Sequence, residues 1–357
     1  MAARLVGGMG GVPVGRAFGI PIRFHWSWLL LFGLVSWSLT GYFGLALRGS
    51  GALGRRVTLA PVIPGLGPAE GLLVLGVVTA ALFGVSLLAH ELAHSLVARR
   101  NGIRVRGITL FFFGGVAEIA SLPRTPGAEF RVAAVGPLTS LVLAALFWVV
   151  STQLGQLGLS RTLTLPAGWL AQTNLMLALF NLLPGFPLDG GRIFRSIIWR
   201  ISGSARTSTR IASRVGRLVG FGFVGWGLLG MTGLFGFGGG GGAGGFGSGL
   251  WQIFVGLFLQ NAARSQAQES ELEHAFDGLT VGHALGPEPA PPGRPLMVPV
   301  DTDLTEALRL MEEHDVGQVL VMADGPAGGR EVGVLTRERA LGYLRLRREL
   351  DRQHGHA

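Results

Sequence analysis

Residues 71–89 contain no charged side chain, and the run closes on His-Glu-Leu-Ala-His at positions 90–94. Surrounded by lipid, a stretch that long and apolar satisfies its backbone polar groups only as a helix. Yet three ionisable groups fall within five residues at its end. Inside a span each costs about several kcal/mol, and such groups persist when they are paired, bound to a metal or turned toward a cavity.

Further apolar runs lie near residues 24–47, 129–152, 168–185, 213–235 and 249–263. With 71–98 they make about six candidate spans; a bilayer core needs roughly 20 helical residues, so the first, second, third and fifth are clear spans and those at 168–185 and 249–263 are short. The chain is 48% hydrophobic and 14% charged, with a mean hydropathy of +0.46. This balance fits a polytopic α-helical membrane protein better than a soluble one. The first 22 residues are Gly-rich and lack an apolar signal core with a cleavage site, so no cleavable signal peptide is expected. They are read as a cytoplasmic N-terminal segment. The membrane domain is expected over 23–264 with its core at 23–200, a linker over 265–278, and a soluble domain over 279–350.

Charge is divided unevenly. Residues 1–268 hold 21 arginines against five acids, whereas residues 269–357 hold nine arginines against 16 acids. A nucleic-acid binder would also be basic. Here, however, the arginines cluster between apolar runs, which fits a membrane protein with cationic cytoplasmic loops, and no nucleic-acid partner is expected. Arg99, Arg100, Arg104, Arg106, Arg124 and Arg131 separate the second and third runs; Arg192, Arg195, Arg200, Arg206, Arg210, Arg214 and Arg217 separate the fourth and fifth. The positive-inside rule places these loops, both termini and the acidic tail in the cytoplasm, with Arg48, Arg55 and Arg56 running against it. The expected location is a cell membrane, of the bacterial inner-membrane kind. The stretch "GFGGGGGAGGFGSG" at 236–249 reads as a flexible tether on the opposite side. The absence of cysteine excludes disulfides, thiolate metal sites and cysteine nucleophiles.

On a helix His90 and His94 stand four residues apart, about 6 Å along the axis and on one face. Two imidazoles so placed can hold one zinc ion, with Glu91 beside them to take a proton from water. His-Glu-x-x-His also occurs by chance in unrelated proteins, and the membrane setting is what raises its weight. A catalytic site needs a third protein ligand and an open position. Within residues 1–268 the remaining candidates are His25, Glu70, Glu118, Glu129 and Asp189. Glu70 precedes the second run on the far side and His25 opens the first at a rim. Glu118 and Glu129 flank an arginine-rich loop, where solvation is the expected role. Asp189 sits in "FNLLPGFPLDGGR" at 180–192, after a run that ends on the same side as the histidines. Asp189 is therefore the expected third ligand, against the plainer reading of a turn-forming Asp before Gly-Gly.

"HELAH" on one run and "NLLPGFPLDGG" on a later one together resemble the site-2 protease family, intramembrane zinc metalloproteases of the peptidase M50 kind. "GITLFFFGGVAEI" (107–119) and "VGPLTS" (135–140) resemble family segments too, and the likeness covers roughly residues 20–200. It implies one Zn2+ per subunit held by His90, His94 and Asp189, with Glu91 as general base. It casts Asn181 as a contact to the substrate carbonyl or oxyanion, with Asn174 either a helper or an interhelical hydrogen-bonding group. The implied substrate is a single-pass membrane protein, for example an anti-sigma-factor-like regulator, cut within its span. Such a helix must unwind first, because its carbonyls are hydrogen-bonded internally. "TLFFFGG" could offer a strand edge to the opened segment or be a plain membrane-dipping hairpin.

Residues 279–347 resemble a CBS module in their strand-helix-strand-strand-helix order. Such modules commonly pair and bind adenine nucleotides, so a homodimer through this CBS-like module is expected. The family's ribose-binding pattern Gly-x-x-Thr-x-x-Asp reads Gly333, Thr336 and Arg339 here. Arginine cannot accept the ribose hydroxyl hydrogen bonds, so adenine nucleotide is doubtful and dimerisation or docking is the better reading. A transporter or channel regulated by a CBS tail is the alternative function, and a non-catalytic scaffold a third. Either would leave His90, Glu91, His94 and Asp189 unexplained.

Overall fold

The computed structural model describes residues 11–48, 65–112, 114–119, 123, 125–158, 161–232, 243–275, 280–285, 295–323, 330–340 and 342–343. The chain divides into two compact units, Met1–Gln266 and Ala267–Ala357.

The first unit opens on strands β1 (Val12–Ala17) and β2 (Ile20–Phe24), then helices α1 (Trp26–Arg48) and α2 (Pro68–Arg100). Strands β3 (Val105–Phe111) and β4 (Gly114–Ile119) follow, then α3 (Pro126–Gln156), α4 (Arg161–Asn181), α5 (Asp189–Ser202), α6 (Ala205–Met231) and α7 (Ala243–Ala275). The helix ends are written in the sequence. Pro68 takes the first position of α2, where no N–H is needed, and Glu70 reaches back to accept the Gly67 N–H at 3.0 Å. Arg99 and Arg100 occupy the last turn of α2, where cations suit the helix dipole. The Thr125 hydroxyl accepts the Ala128 N–H to start α3, and Ser204 accepts that of Thr207 to start α6.

Among the described residues, four helices are long and apolar enough to cross a membrane, namely α1 over Trp26–Leu47, α2, α3 and α4. Their outward residues include Trp37 at 75%, Val85 at 62% and Trp148 at 65% exposure. Helices apolar on every face need an apolar surround, and a bilayer provides it. The expected six spans are thus not matched among the described residues. The fifth and sixth runs do form helices, α6 and α7. However, Arg206, Arg210, Arg214 and Arg217 occupy the first half of α6, and α7 runs on past its apolar part into "ARSQAQESELEHA".

Three segments read as irregular are ordered. Residues 12–24, placed in an N-terminal segment, form a strand pair. Residues 243–249 of the expected tether and 265–275 of the expected linker are helical; residues 1–10 and 236–242 lie outside the described residues. The four strands lie in the order β1-β2-β3-β4, with β1/β2 and β3/β4 antiparallel and β2/β3 parallel. Ile20, Ile108 and Leu110 of the sheet pack with Trp28 and Leu87, fixing it against α1 and α2. The sheet thereby stands beside the His-Glu-Leu-Ala-His turn of α2.

The second unit contains β5 (Met297–Pro299), α8 (Leu304–Glu313), β6 (Gln318–Met322) and β7 (Glu331–Thr336), with β5/β6 parallel and β6/β7 antiparallel. Val298, Leu304, Ala307, Met311, Val319, Val321 and Leu335 form its core. Residues 286–294, most of the Pro-rich stretch "GPEPAPPGRP", lie outside the described residues. Leu335 is fully buried, so Leu335→Ala should destabilise this unit by about 2–5 kcal/mol, read as a lower unfolding midpoint by circular dichroism.

Candidate metal centre

His90 and His94 lie on one face of α2, 2% and 8% exposed. Asp189 opens α5 after the turn 182–188, with a side chain 17% exposed. Asp189 Oδ2 is 3.2 Å from His90 Nε2 and 3.1 Å from His94 Nε2, and the two Nε2 atoms are 3.2 Å apart. All three candidate ligand atoms lie within 4.8 Å of one another, a spacing that can hold a metal ion.

The other ring nitrogens explain why these atoms converge. His94 Nδ1 donates to the Val132 carbonyl at 2.6 Å, and His90 Nδ1 lies 2.9 Å from the Ser140 hydroxyl. A carbonyl can only accept, so Nδ1 of His94 carries a proton and a neutral ring turns an Nε2 lone pair inward. The Asp189 carboxylate brings a further negative oxygen to the same point. Lone pairs converging in a buried site repel one another unless a cation sits between them, and imidazole with carboxylate suits zinc. The donor set therefore fits the metal that the sequence implies.

Space for the rings comes from Gly136 on α3. A Cβ at that position would lie against His94 Nε2 and 2.7 Å from His90 Nε2. Val132 escapes sequence reasoning because it is not ionisable; Gly136 and Ser140 lie in "VGPLTS", a family-like stretch to which the sequence alone attaches no role. Glu91, one residue from the first ligand, packs against Gly115 of β4, where a Cβ would meet its carboxyl carbon at 2.9 Å. The sheet thus reaches the group expected to act as base.

The remaining candidates are dispersed. Asn181 ends α4 and its side-chain amide donates to the Leu177 carbonyl at 3.1 Å. Asn174 is fully buried; its amide donates to the Leu170 carbonyl at 2.9 Å and to the Ser86 hydroxyl at 3.4 Å, an interhelical contact. His25 bonds locally to Ser27 at 2.7 Å. Glu118 accepts from Arg23 and Thr109. Glu129, expected to be solvated, is instead buried and receives Arg195 at 2.6 Å. The fold brings α3 and α5 together there, which local sequence cannot reveal.

Residues 78–164 and 152–223 match the family described as Peptidase family M50, and residues 292–346 match the CBS domain. The chain carries an M50 peptidase domain and a CBS domain. Rip3 of Mycobacterium tuberculosis, provisionally named a zinc metalloprotease, is 37% identical over 78% of this chain and 64% of its own. A protein of Synechocystis, sll0528, has the same provisional name, with 37% identity over 77% of this chain and 65% of its own. Zinc metalloprotease MJ0392 of Methanocaldococcus jannaschii is 30% identical over 70% of this chain and 65% of its own. The match thus spans just under two thirds of the length of these relatives.

The M50 domain match includes α3, and with it the glycine that admits the imidazoles. Gly136→Val should push both rings off their positions and lower metal retention by about tenfold or more, measured by elemental analysis of the purified protein.

Proposed function

We propose that this chain is a zinc-dependent endopeptidase that cuts peptide bonds within the spans of single-pass membrane proteins. One observation carries the reading: the two Nε2 atoms and Asp189 Oδ2 converge beside Glu91, at one end of an apolar helix. The chemistry of the donor set and the names of the relatives support zinc as the metal. His90, His94 and Asp189 would hold it, one ion per subunit, and the bound metal would supply Lewis acidity to water and to the scissile carbonyl.

The chain's own residues do the rest. Val132 and Ser140 keep the imidazoles turned inward. Glu91 takes a proton from the attacking water and delivers it to the departing amine as the C–N bond breaks. Asn181 turns its amide from the Leu177 carbonyl toward the substrate carbonyl, where negative charge grows. The substrate must be extended at the cut, and β4 is the end strand of its sheet with Gly115 against Glu91. A segment added along β4 would run past the base. Phe113, within the expected "TLFFFGG" edge, lies outside the described residues.

The arginine-rich loops and acidic tail favour a cytoplasmic opening for the site, with both termini on that side. A regulator of the anti-sigma-factor kind suits such geometry, since cleavage would release its cytoplasmic part. The CBS domain is assigned to pairing between copies or to docking rather than to nucleotide binding. Arg339 stands where an aspartate would be needed, and its backbone N–H donates to the Thr336 hydroxyl at 3.3 Å. A CBS-regulated transporter or channel is not favoured, because the ionisable groups gather at one hydrolytic arrangement.

Glu91→Ala should reduce cleavage of a co-expressed single-pass substrate by about 10²–10⁴-fold while zinc content stays near that of the parent. Full activity in this variant would refute Glu91 as base. Asp189→Ala should lose zinc, and unchanged zinc content would mean another group is the third ligand. Asn181→Ala should lower kcat by about 10²–10³-fold in detergent with little change in metal content.

A further inference from the structure

Few charged groups in the membrane unit are buried outside the ligand cluster, and two of them face each other. Glu129 lies in the first turn of α3 at 3% exposure, and Arg195 in the second turn of α5 at 7%. Arg195 Nη1 donates to Glu129 Oε1 at 2.6 Å, and its Nε donates to Thr209 Oγ1 at 2.7 Å. Thr209, on α6, donates onward to the Ala205 carbonyl at 3.0 Å. The guanidinium lies 5.4 Å from the centre of the Trp199 ring. One rigid planar fork thereby joins α3, α5 and α6.

Stability alone is a poor account of such a pair. Apolar side chains of similar volume often serve a buried position as well as an ion pair does, because both charges lose their water. Position is the better account. One turn beyond Glu129, α3 presents the Val132 carbonyl to His94, and two turns further it presents Ser140 to His90. Asp189 is the first residue of the helix that carries Arg195. The pair is therefore a strut between the helix that orients both histidines and the helix that supplies the carboxylate.

We infer that Glu129 and Arg195 are positioning residues for the metal centre, setting α5 against α3 so that Asp189 Oδ2 meets the two Nε2 atoms. The inference rests on the metal-ligand assignment made under the proposed function. Neither residue touches the ligand atoms, so their effect is on geometry. A strut of this kind resembles the outer contacts that orient metal ligands generally.

The test uses the full-length protein purified in detergent. Zinc affinity is measured by chelator competition, and the visible spectrum is recorded after loading with Co2+. Glu129→Gln should weaken zinc binding by about 10- to 100-fold and change the intensity of the Co2+ bands. The double exchange Glu129→Arg with Arg195→Glu should recover part of that loss. If Glu129→Gln lowers only the melting temperature and leaves affinity and spectrum as in the parent, the pair is merely structural and the inference fails. Should Glu129→Gln not fold, Thr209→Val keeps both charges and removes only the Nε partner. It should shift affinity and spectrum in the same direction by less, and unchanged values there overturn the inference. Asp189→Asn separates the two claims. If it binds zinc as tightly as the parent, the ligand assignment itself is wrong; if it loses zinc while Glu129→Gln does not, only the strut is wrong.

Discussion

The hydrogen bond from His94 Nδ1 to the Val132 carbonyl, 2.6 Å long, is the contact on which the candidate site depends. A backbone carbonyl deep in a span has no water to turn to, and a helix interior normally uses it for its own ladder. A carbonyl oxygen has a second lone pair, however, and at Val132 it accepts the ring N–H of His94 from α2. Through that contact α3 sets which imidazole nitrogen faces the ligand cluster, and Gly136 leaves the rings room to face it.

Much of this centre is legible in the sequence because charge is scarce there. With five acids and three histidines in 268 residues, each ionisable group must be explained, and His90, His94 and Asp189 fall out nearly by exclusion. The same scarcity misleads at Glu129. It looks like a loop carboxylate beside arginines, and only the packing of α5 onto α3 makes it an interior group. Asn181 is legible only through family likeness, since its observed bond to Leu177 is one that any helical asparagine could make.

The helices were more legible than the strands for a related reason. Apolar runs of about 20 residues have one outcome in lipid, so α1 through α4 lie where the runs predict. By contrast, β2 pairs with β3, whose residues lie more than 80 positions away, and no local pattern in a Gly-rich N-terminus announces that partner. Helix α5 is hard to see in the sequence because its arginines read as loop charge. In the structure they are distributed around a short amphipathic helix, with Arg195 turned inward. The CBS domain is legible because the short apolar runs of β6 and β7 and the apolar face of α8 specify one small core.

His94 and Asp189 stand 95 residues apart in the chain, and the order in which they are made has a consequence for biosynthesis. A nascent chain threaded through α2 already holds two imidazoles and a glutamate but has no carboxylate to complete the set. The missing group arrives only after α3 and α4 have been laid down and the chain has turned back through the proline-rich corner. On the proposed function, the hydrolytic centre would thus be completed only late in synthesis, after most of the membrane helices are made.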